Sequence, residues 1–310
     1  MGANIDFQVD VTEEQIAFFR ENGFLRIERI TTDAEVEWMR SIYDQLFNRR
    51  MGEAQGHYFD LAGPRAHSGT ETLPQVLGPE GKFPELRETV YFRNARRLAA
   101  RLLEVEEAQV NGGGHMILKP ARYGSETPWH QDEAYWNPSV IPHSLSVWLP
   151  LDPATVESGC MQFIPGSHKG EIRWHHHIDN NPLTHGLVTD DVDPSQAVAC
   201  PIPVGGATFH HCRTLHYAAP NTTEQPRRAY ILVLGAPPQK REKPAYRPWQ
   251  TEEQAALAKL KSLAAPRRKA ENSRIENKEM GRLATLPESR RVLKDGFEQI
   301  FSSCPKLLIR

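Results

Sequence analysis

The sequence predicts a mainly β fold with flanking α-helices. After Gln109 the chain breaks into short apolar runs, HMILKP, HSLSVWLPL, CMQFIPG, VACPIPV, ATFHHC and AYILVLG, separated by Pro, Gly and Asn. Short strands at this spacing belong to a sandwich, a barrel or a jelly roll. Before Gln109 the apolar residues recur with the helical period instead, as on helices that pack by one face.

Residues 11–27, VTEEQIAFFRENGFLRI, read as a capped helix running into a strand. Thr12 and Gln15 fit a Thr-x-x-Gln capping box. Ile16 and Phe19 share a face, and Gly23 suits a left-handed stop. Phe24, Leu25 and Ile27 then suit a short buried strand. A second helix is expected over 32–48, where Val36, Met39, Ile42, Tyr43 and Leu46 keep helical spacing. Residues 50–82 are rich in loop formers. Segment 83–107 is helical again through Leu86, Val90, Phe92 and Leu98. From about 237 the chain becomes basic and proline-rich, PPQKREKPAYRP, and helices are expected at 251–264 and 286–302. There is no internal repeat and no low-complexity tract. The expected organisation is a single domain over 1–310: a mostly helical part at 1–108, a β core at 109–236 and a charged helical appendage at 237–310.

Composition excludes several classes. Of 310 residues, 25% are charged and 39% hydrophobic, which is ordinary for a globular protein. Lys and Arg number 37 against 39 Asp and Glu, a net charge of −2 that gives no reason to expect nucleic acid or a membrane as partner. No run approaches the roughly 18 apolar residues of a membrane span. The N-terminus MGANIDFQVD carries acids and lacks an apolar h-region, so it does not read as a secretory signal. Asp6 breaks the myristoylation pattern. None of the four cysteines forms a CxxC pair, which argues against a thiolate zinc site. The expectation is a cytoplasmic protein with reduced cysteines and a small-molecule partner. Its oligomeric state is left open.

The chemistry concentrates in WHQDEAYW, residues 129–136. A packed core does not accommodate His130, Asp132 and Glu133 together, and a solvated loop does not collect Trp129, Tyr135 and Trp136. In an extended chain, residues i and i+2 point to one side, so His130 and Asp132 converge while Glu133 points elsewhere. They supply two members of a 2-His-1-carboxylate triad, which suits non-haem Fe(II) and leaves open positions. A third ligand is sought in HHCRTLHYAAPNTTEQPRRAYIL, residues 210–232, where His210, His211 and His216 compete. Arg227 follows His216 by 227 − 216 = 11 residues, across a turn-like loop that could return it beside His216. A buried arginine there needs an anion, and a guanidinium matches a carboxylate with two parallel bonds.

HQDEAYW, ESGCMQFIPGSHKG at 157–170, the histidine–arginine segment and the opening VTEEQIAFFRENGFLRI together resemble the phytanoyl-CoA dioxygenase family, from about residue 10 to 235. These are Fe(II)- and 2-oxoglutarate-dependent oxygenases. The resemblance implies a double-stranded β-helix, the cupin-like jelly-roll core. It implies that His130, Asp132 and His216 bind iron, and that Arg227 holds the distal carboxylate of 2-oxoglutarate. Trp148 would line the co-substrate pocket. Gln131, inside the motif, is grouped with the cofactor-binding residues without an assigned role. Dioxygen is the further co-substrate, and hydroxylation of a small metabolite with release of succinate is the expected outcome. Desaturation, ring closure or epimerisation can begin in the same way. Asp132 argues against a halogenase, whose relatives carry a small residue there. In two places the chain departs from the family: Gly206 stands where many relatives have an acid, and Ala218 where many have a hydroxyl residue. These motivate a rival reading as a cupin-like binding protein without catalysis. An oxygen-independent isomerase or hydrolase using the same triad is a further alternative.

Other residues have plainer readings. Trp129, Tyr135 and Trp136 suit a core, although Tyr135 and Trp136 are also candidates to line the substrate. The run Arg173-Trp174-His175-His176-His177 reads as a solvated loop, with Trp174 a candidate at the substrate mouth. His168 reads as structural, and Arg228 as facing away from Arg227. Lys119 and Arg122 could reach an acidic substrate or be solvated. The C-terminal charges are expected on a solvated helical face.

Overall fold

The computed structural model describes residues 7–64 and 69–262. The chain divides into two compact units, Met1–Glu253 and Gln254–Arg310. Of the second, residues 254–262 are described and are helical. The expected helix at 286–302 and Cys304 lie outside the described residues.

The first unit opens with α1 (Glu13–Asn22), β1 (Phe24–Ile27) and α2 (Asp33–Asn48), followed by β2 (Tyr58–Asp60), β3 (Pro74–Leu77) and α3 (Val90–Leu103). Ten more strands follow: β4 (Asn111–Lys119), β5 (Thr127–His130), β6 (Val140–Pro150), β7 (Met161–Phe163), β8 (His176–His177), β9 (Leu187–Val188), β10 (Val198–Cys200), β11 (Ala207–His211), β12 (His216–Ala218) and β13 (Arg227–Lys240). The capping box of α1 is present as its sequence predicts, with Thr12 and Gln15 satisfying each other's backbone, and Gly23 closes the helix at φ 80°. That glycine is required twice over, because a Cβ there would also lie 2.3 Å from His168 Nδ1. The predicted apolar stripe of α2 is buried at all five positions.

Two sheets form the jelly roll. The larger has the order β1-β11-β6-β13-β4-β3-β2 and the smaller β10-β7-β12-β5, with β8 and β9 pairing separately. Strand alternation gives the large sheet two different faces. Tyr230, Leu232 and Leu234 of β13 and Leu145, Val147 and Leu149 of β6 join α2 and α3 in one apolar cluster. The intervening Ala229 and Ile231, with Trp148 and Ile117, join Met161, Phe163 and Ala218 of the small sheet in a second. The helices thus cover the outside, while the inside faces the other sheet. Among the described residues no helix is long and apolar enough to cross a membrane.

Three expectations are corrected. The loop-rich 50–82 stretch contains β2 and β3, which extend the large sheet. β11 ends at His211, and β12, which carries His216, starts in the other sheet. For the same reason the 219–226 loop is not a hairpin turn, since β12 and β13 lie in different sheets. At the other end, β13 continues through the expected boundary at 237 to Lys240, accommodating Pro237 and Pro238 at an irregularity in its pairing with β6.

Leu232 is fully buried between β13 and the helices. Leu232→Ala is expected to lower the unfolding free energy by about 2–5 kcal/mol, read as a lower urea midpoint at unchanged slope.

Candidate metal centre

β5 and β12 are antiparallel neighbours in which His130 stands directly opposite His216. Their rings lie 4.1 Å apart between centroids. Gln131 remains extended, at φ −123° and ψ 131°, before Asp132 opens a short 3-10 turn. That one extended residue brings the carboxylate to the same side as the imidazole. Asp132 Oδ1 lies 3.7 Å from His130 Nε2 and 3.6 Å from His216 Nε2. Among the described residues these three form the one cluster of possible metal donors, all within 4.8 Å of one another.

The other ring nitrogens set the tautomers. His130 Nδ1 is 2.7 Å from the carbonyl of Pro128, and His216 Nδ1 is 2.9 Å from that of Thr214. Each Nδ1–H donates to a carbonyl, so each Nε2 keeps its lone pair for a metal. Burial, with His130 and His210 beside it, pushes His216 well below the usual histidine range. Burial would raise Asp132, but His216, His130 and His210 together hold its carboxyl well below the usual range. Two neutral imidazoles and one carboxylate are the donor set that suits a divalent non-haem metal with open positions.

The triad opens into a cavity of about 300 Å³. Arg227, the first residue of β13, reaches into it at 2% exposure. Its guanidinium carbon lies 5.0 Å over the Trp148 ring, and its Nε and Nη1 have no hydrogen-bond partner among the described residues. Burial pulls Arg227 down to about 10, so it remains a cation at neutral pH. Its cross-strand neighbour Lys119 is equally buried but satisfied: Nζ donates to the carbonyls of Ser125, Ala218 and Ala219 at 2.5, 3.0 and 2.8 Å. Arg227, unlike Lys119, thus keeps two donor nitrogens without a partner among the described residues.

Of the residues singled out in the sequence, Trp148, Tyr135 and Trp136 line the cavity, and the hydroxyl of Tyr135 accepts from Leu187 N at 2.7 Å. Gln131 does not line it. Its side chain turns the other way, donating to Arg213 O at 2.7 Å and accepting from Arg173 N at 2.8 Å. Trp174 stands outside, 58% exposed, with its ring edge-on to Trp249. His175 and His177 are buried rather than solvated: His175 Nε2 accepts from Gln131 N, and His177 bridges the carbonyls of Thr184 and Trp249. Lys119 is structural, and exposed Arg122 pairs with Glu224. His168 meets the carbonyl of Arg20 as a structural residue, and Arg228 faces away to Asp152 and Asp44. Sequence reading passed over Gln75, His115, Thr127 and His185, which also line the cavity. Strand parity with Ile117 would have pointed to His115.

Glu133, next to Asp132, is 1% exposed and accepts from three arginines. Arg213 Nε reaches Oε2 at 2.6 Å, while Arg241 Nη2 and Arg247 Nη2 reach Oε1 at 2.9 and 2.8 Å. Arg247 also donates to the backbone carbonyl of Glu133. Trp249 Nε1 donates to Ala134 O at 2.9 Å, and Gln250 Nε2 to Trp136 O at 2.8 Å. Segment 241–250 thus straps the loop that carries Asp132: Arg241 and Arg247 turn inward, while Glu242 and Lys243 are exposed.

Glu133→Gln leaves three guanidinium groups without their counter-charge. It is expected to cost about 3–5 kcal/mol, read as a large drop in melting temperature. A second expectation concerns acid. Burial pulls His175 to about 4 and His211 to about 3, from an ordinary 6.5. Between those values the unfolded chain binds more protons than the folded one, so stability is complete above about pH 6.5 and falls as pH drops toward about 4. Urea midpoints measured across that window should decline steadily.

Comparison with known proteins agrees with this geometry. Residues 19–229 match the phytanoyl-CoA dioxygenase (PhyH) family. The structure of EvdO2 from Micromonospora carbonacea var. aurantiaca, solved with 2-oxoglutarate, is 42% identical, with a TM-score of 0.69 over 79% of this chain and 99% of that one. The carbocyclase SnoK from nogalamycin biosynthesis is 26% identical, with a TM-score of 0.59 over 73% and 84% of the two chains. A probable alpha-ketoglutarate-dependent hypophosphite dioxygenase of Stutzerimonas stutzeri is 25% identical over 71% of this chain and 77% of its own. The chain belongs to the phytanoyl-CoA dioxygenase family.

Proposed function

We propose that the chain is an Fe(II)- and 2-oxoglutarate-dependent dioxygenase that hydroxylates an unactivated C–H bond of a small-molecule metabolite, with release of succinate and carbon dioxide. The observation that carries this reading is a buried guanidinium, its Nε and Nη1 without a hydrogen-bond partner among the described residues, sharing one cavity with a His-Asp-His donor set. His130, Asp132 and His216 hold Fe(II) through Nε2, Oδ1 and Nε2. Arg227 receives the distal carboxylate of 2-oxoglutarate, with the Trp148 ring against its face. The complex of the similar EvdO2 with 2-oxoglutarate supports this assignment.

Thr127 answers the missing hydroxyl at position 218. It stands opposite Ala218 in the β5–β12 register and lines the same cavity, so its hydroxyl can take the part of the family's usual side chain. When bound, iron with 2-oxoglutarate and dioxygen supplies the oxidising power for hydrogen abstraction. The protein's own residues orient the dicarboxylate, hold the carbon to be oxidised and exclude water. Tyr135, Trp136, Leu61 and Leu77 provide apolar wall, and Gln75, His115 and His185 provide the polar groups. Burial pulls His115 to about 4, leaving it uncharged at neutral pH. The likeness to the carbocyclase SnoK favours one second reading, in which the same site closes a ring instead of adding oxygen.

Anaerobic titration of the Fe(II)-loaded protein with 2-oxoglutarate should develop a weak visible charge-transfer band, and air should then yield succinate. Absence of both counts decisively against the proposal. Binding without succinate leaves the non-catalytic reading, and turnover that persists without dioxygen leaves the isomerase. Single alanine substitutions at His130, Asp132 and His216 should abolish succinate formation. Arg227→Ala should raise the 2-oxoglutarate requirement about 10- to 100-fold, and Thr127→Ala by about 2- to 10-fold, as expected for a charge-assisted and a neutral hydrogen bond. Mass spectrometry of the product separates hydroxylation from ring closure.

A further inference from the structure

Asp132 presents its two oxygens to different surroundings. Oδ1 faces the two ligand imidazoles. Oδ2 faces the large sheet, where Ser146 Oγ donates to it at 2.5 Å and His210 Nε2 lies 3.3 Å away. Ser146 and His210 are cross-strand partners on β6 and β11, each nearly fully buried. The register of the two strands therefore delivers a hydroxyl and an imidazole side by side to one carboxylate oxygen. His210 is otherwise unexplained. Neither ring nitrogen has a well-aligned hydrogen-bond partner among the described residues, and buried polar groups are rarely left so. Its Nε2 lies 3.3 Å from Oδ2. A small rotation of the carboxylate, as Oδ1 engages a metal, would bring the two into line.

We infer that Ser146 and His210 are positioning residues that clamp Oδ2 of Asp132, so that the carboxylate offers the metal Oδ1 alone. The consequence is a coordination position kept open. A carboxylate free to swing would take two positions, and the facial triad is useful because it leaves the remaining ones to co-substrates. Outer partners of this kind also fix the direction of the ligand and sustain metal affinity. The inference rests on the proposed metal site, but not on 2-oxoglutarate or on turnover.

The test uses Co(II) as a spectroscopic substitute, titrated into the metal-free full-length chain. The visible ligand-field bands report both affinity and coordination number. Ser146→Ala and His210→Phe are each expected to weaken Co(II) binding roughly 10-fold, and the double variant about 100-fold, within the range for lost outer partners. The band intensity should change in the double variant as the freed carboxylate chelates. Ser146→Thr and His210→Gln, which retain a donor, should recover most of the affinity and the original band. Ser146→Ala removes one oxygen and keeps the inference testable if position 210 tolerates no change. Unaltered affinity and spectrum in Ser146→Ala, or in the double variant, overturns the clamp while leaving the oxygenase reading intact. Complete loss of metal in His210→Phe with Ser146→Ala unaffected also overturns it, because His210 would then be a ligand itself. Co(II) binding with no response to 2-oxoglutarate overturns the oxygenase reading and leaves the clamp to be judged on the bands. No Co(II) binding by the unaltered chain overturns both.

Discussion

The pairing of β5 with β12 is the constraint on which the centre depends. Strand side chains alternate, so a slip of one residue would turn His130 and His216 to opposite faces. Three features hold the register. Phe163 of β7 pairs with His216 from the other side of β12. The Nδ1 atoms of both histidines are tied to carbonyls two residues back. Lys119, from the large sheet, donates to the carbonyls of Ala218 and Ala219 where β12 ends. None of these interactions involves a metal, so the donor atoms are held in place before one arrives. Such preorganisation separates a site from a chance cluster of ligand-type residues.

The two sheets divide the labour. The small sheet carries His130 and His216, and the large sheet carries Arg227, Trp148 and Ser146. The outward residues of the large sheet are clamped by helices, and Tyr91 adds hydrogen bonds from its hydroxyl to the carbonyls of Val147 and Tyr230 at 2.8 and 3.2 Å. The helical N-terminal part thus serves as backing that keeps the inward-facing residues of β6 and β13 in position. Arg227 is the cost accepted inside that frame. An unpaired buried cation is unfavourable by several kcal/mol, whereas the adjacent Lys119, which burial pushes well below the usual lysine range, has its amine hydrogen-bonded to three carbonyls. Leaving Nε and Nη1 of Arg227 without a partner is what the proposed hold on a dicarboxylate would require.

Much of this was legible in the sequence where the signal is local. The capping box at Thr12 and Gln15, the stripe of α2 and the apolar runs that became β4, β6, β7, β10, β11 and β13 all follow from short-range periodicity. His130 and Asp132 converge because one extended residue separates them, and that too is local. What the sequence concealed is non-local. β5 and β12 are short and filled with functional side chains, so they carry no apolar alternation. Nothing in the sequence marks the crossing to the other sheet between His211 and His216. Gln131 appeared to belong to the cavity because of its neighbours, but strand alternation turns it outward. Arg241 and Arg247 resembled solvated charge, since their partner at Glu133 is remote in the chain. His175 and His177 were misread in the same way: burial of a polar residue is decided by distant segments that come to bond with it.

The triple pairing of Glu133 also sets an order of assembly during synthesis. Its last partner, Arg247, lies 114 residues further along the chain. At ribosomal speeds of about 5–20 residues per second, that gap amounts to roughly 6 to 23 seconds. Throughout it the nascent chain already holds His130 and Asp132 but lacks the strap that anchors the loop between them and Trp136. His216 emerges before the strap does, so all three donors leave the ribosome while their loop is still loose. Early capture of a metal would have to occur on an unfinished scaffold, whereas release of residues 241–250 completes a rigid one. The timing favours loading after the strap has emerged.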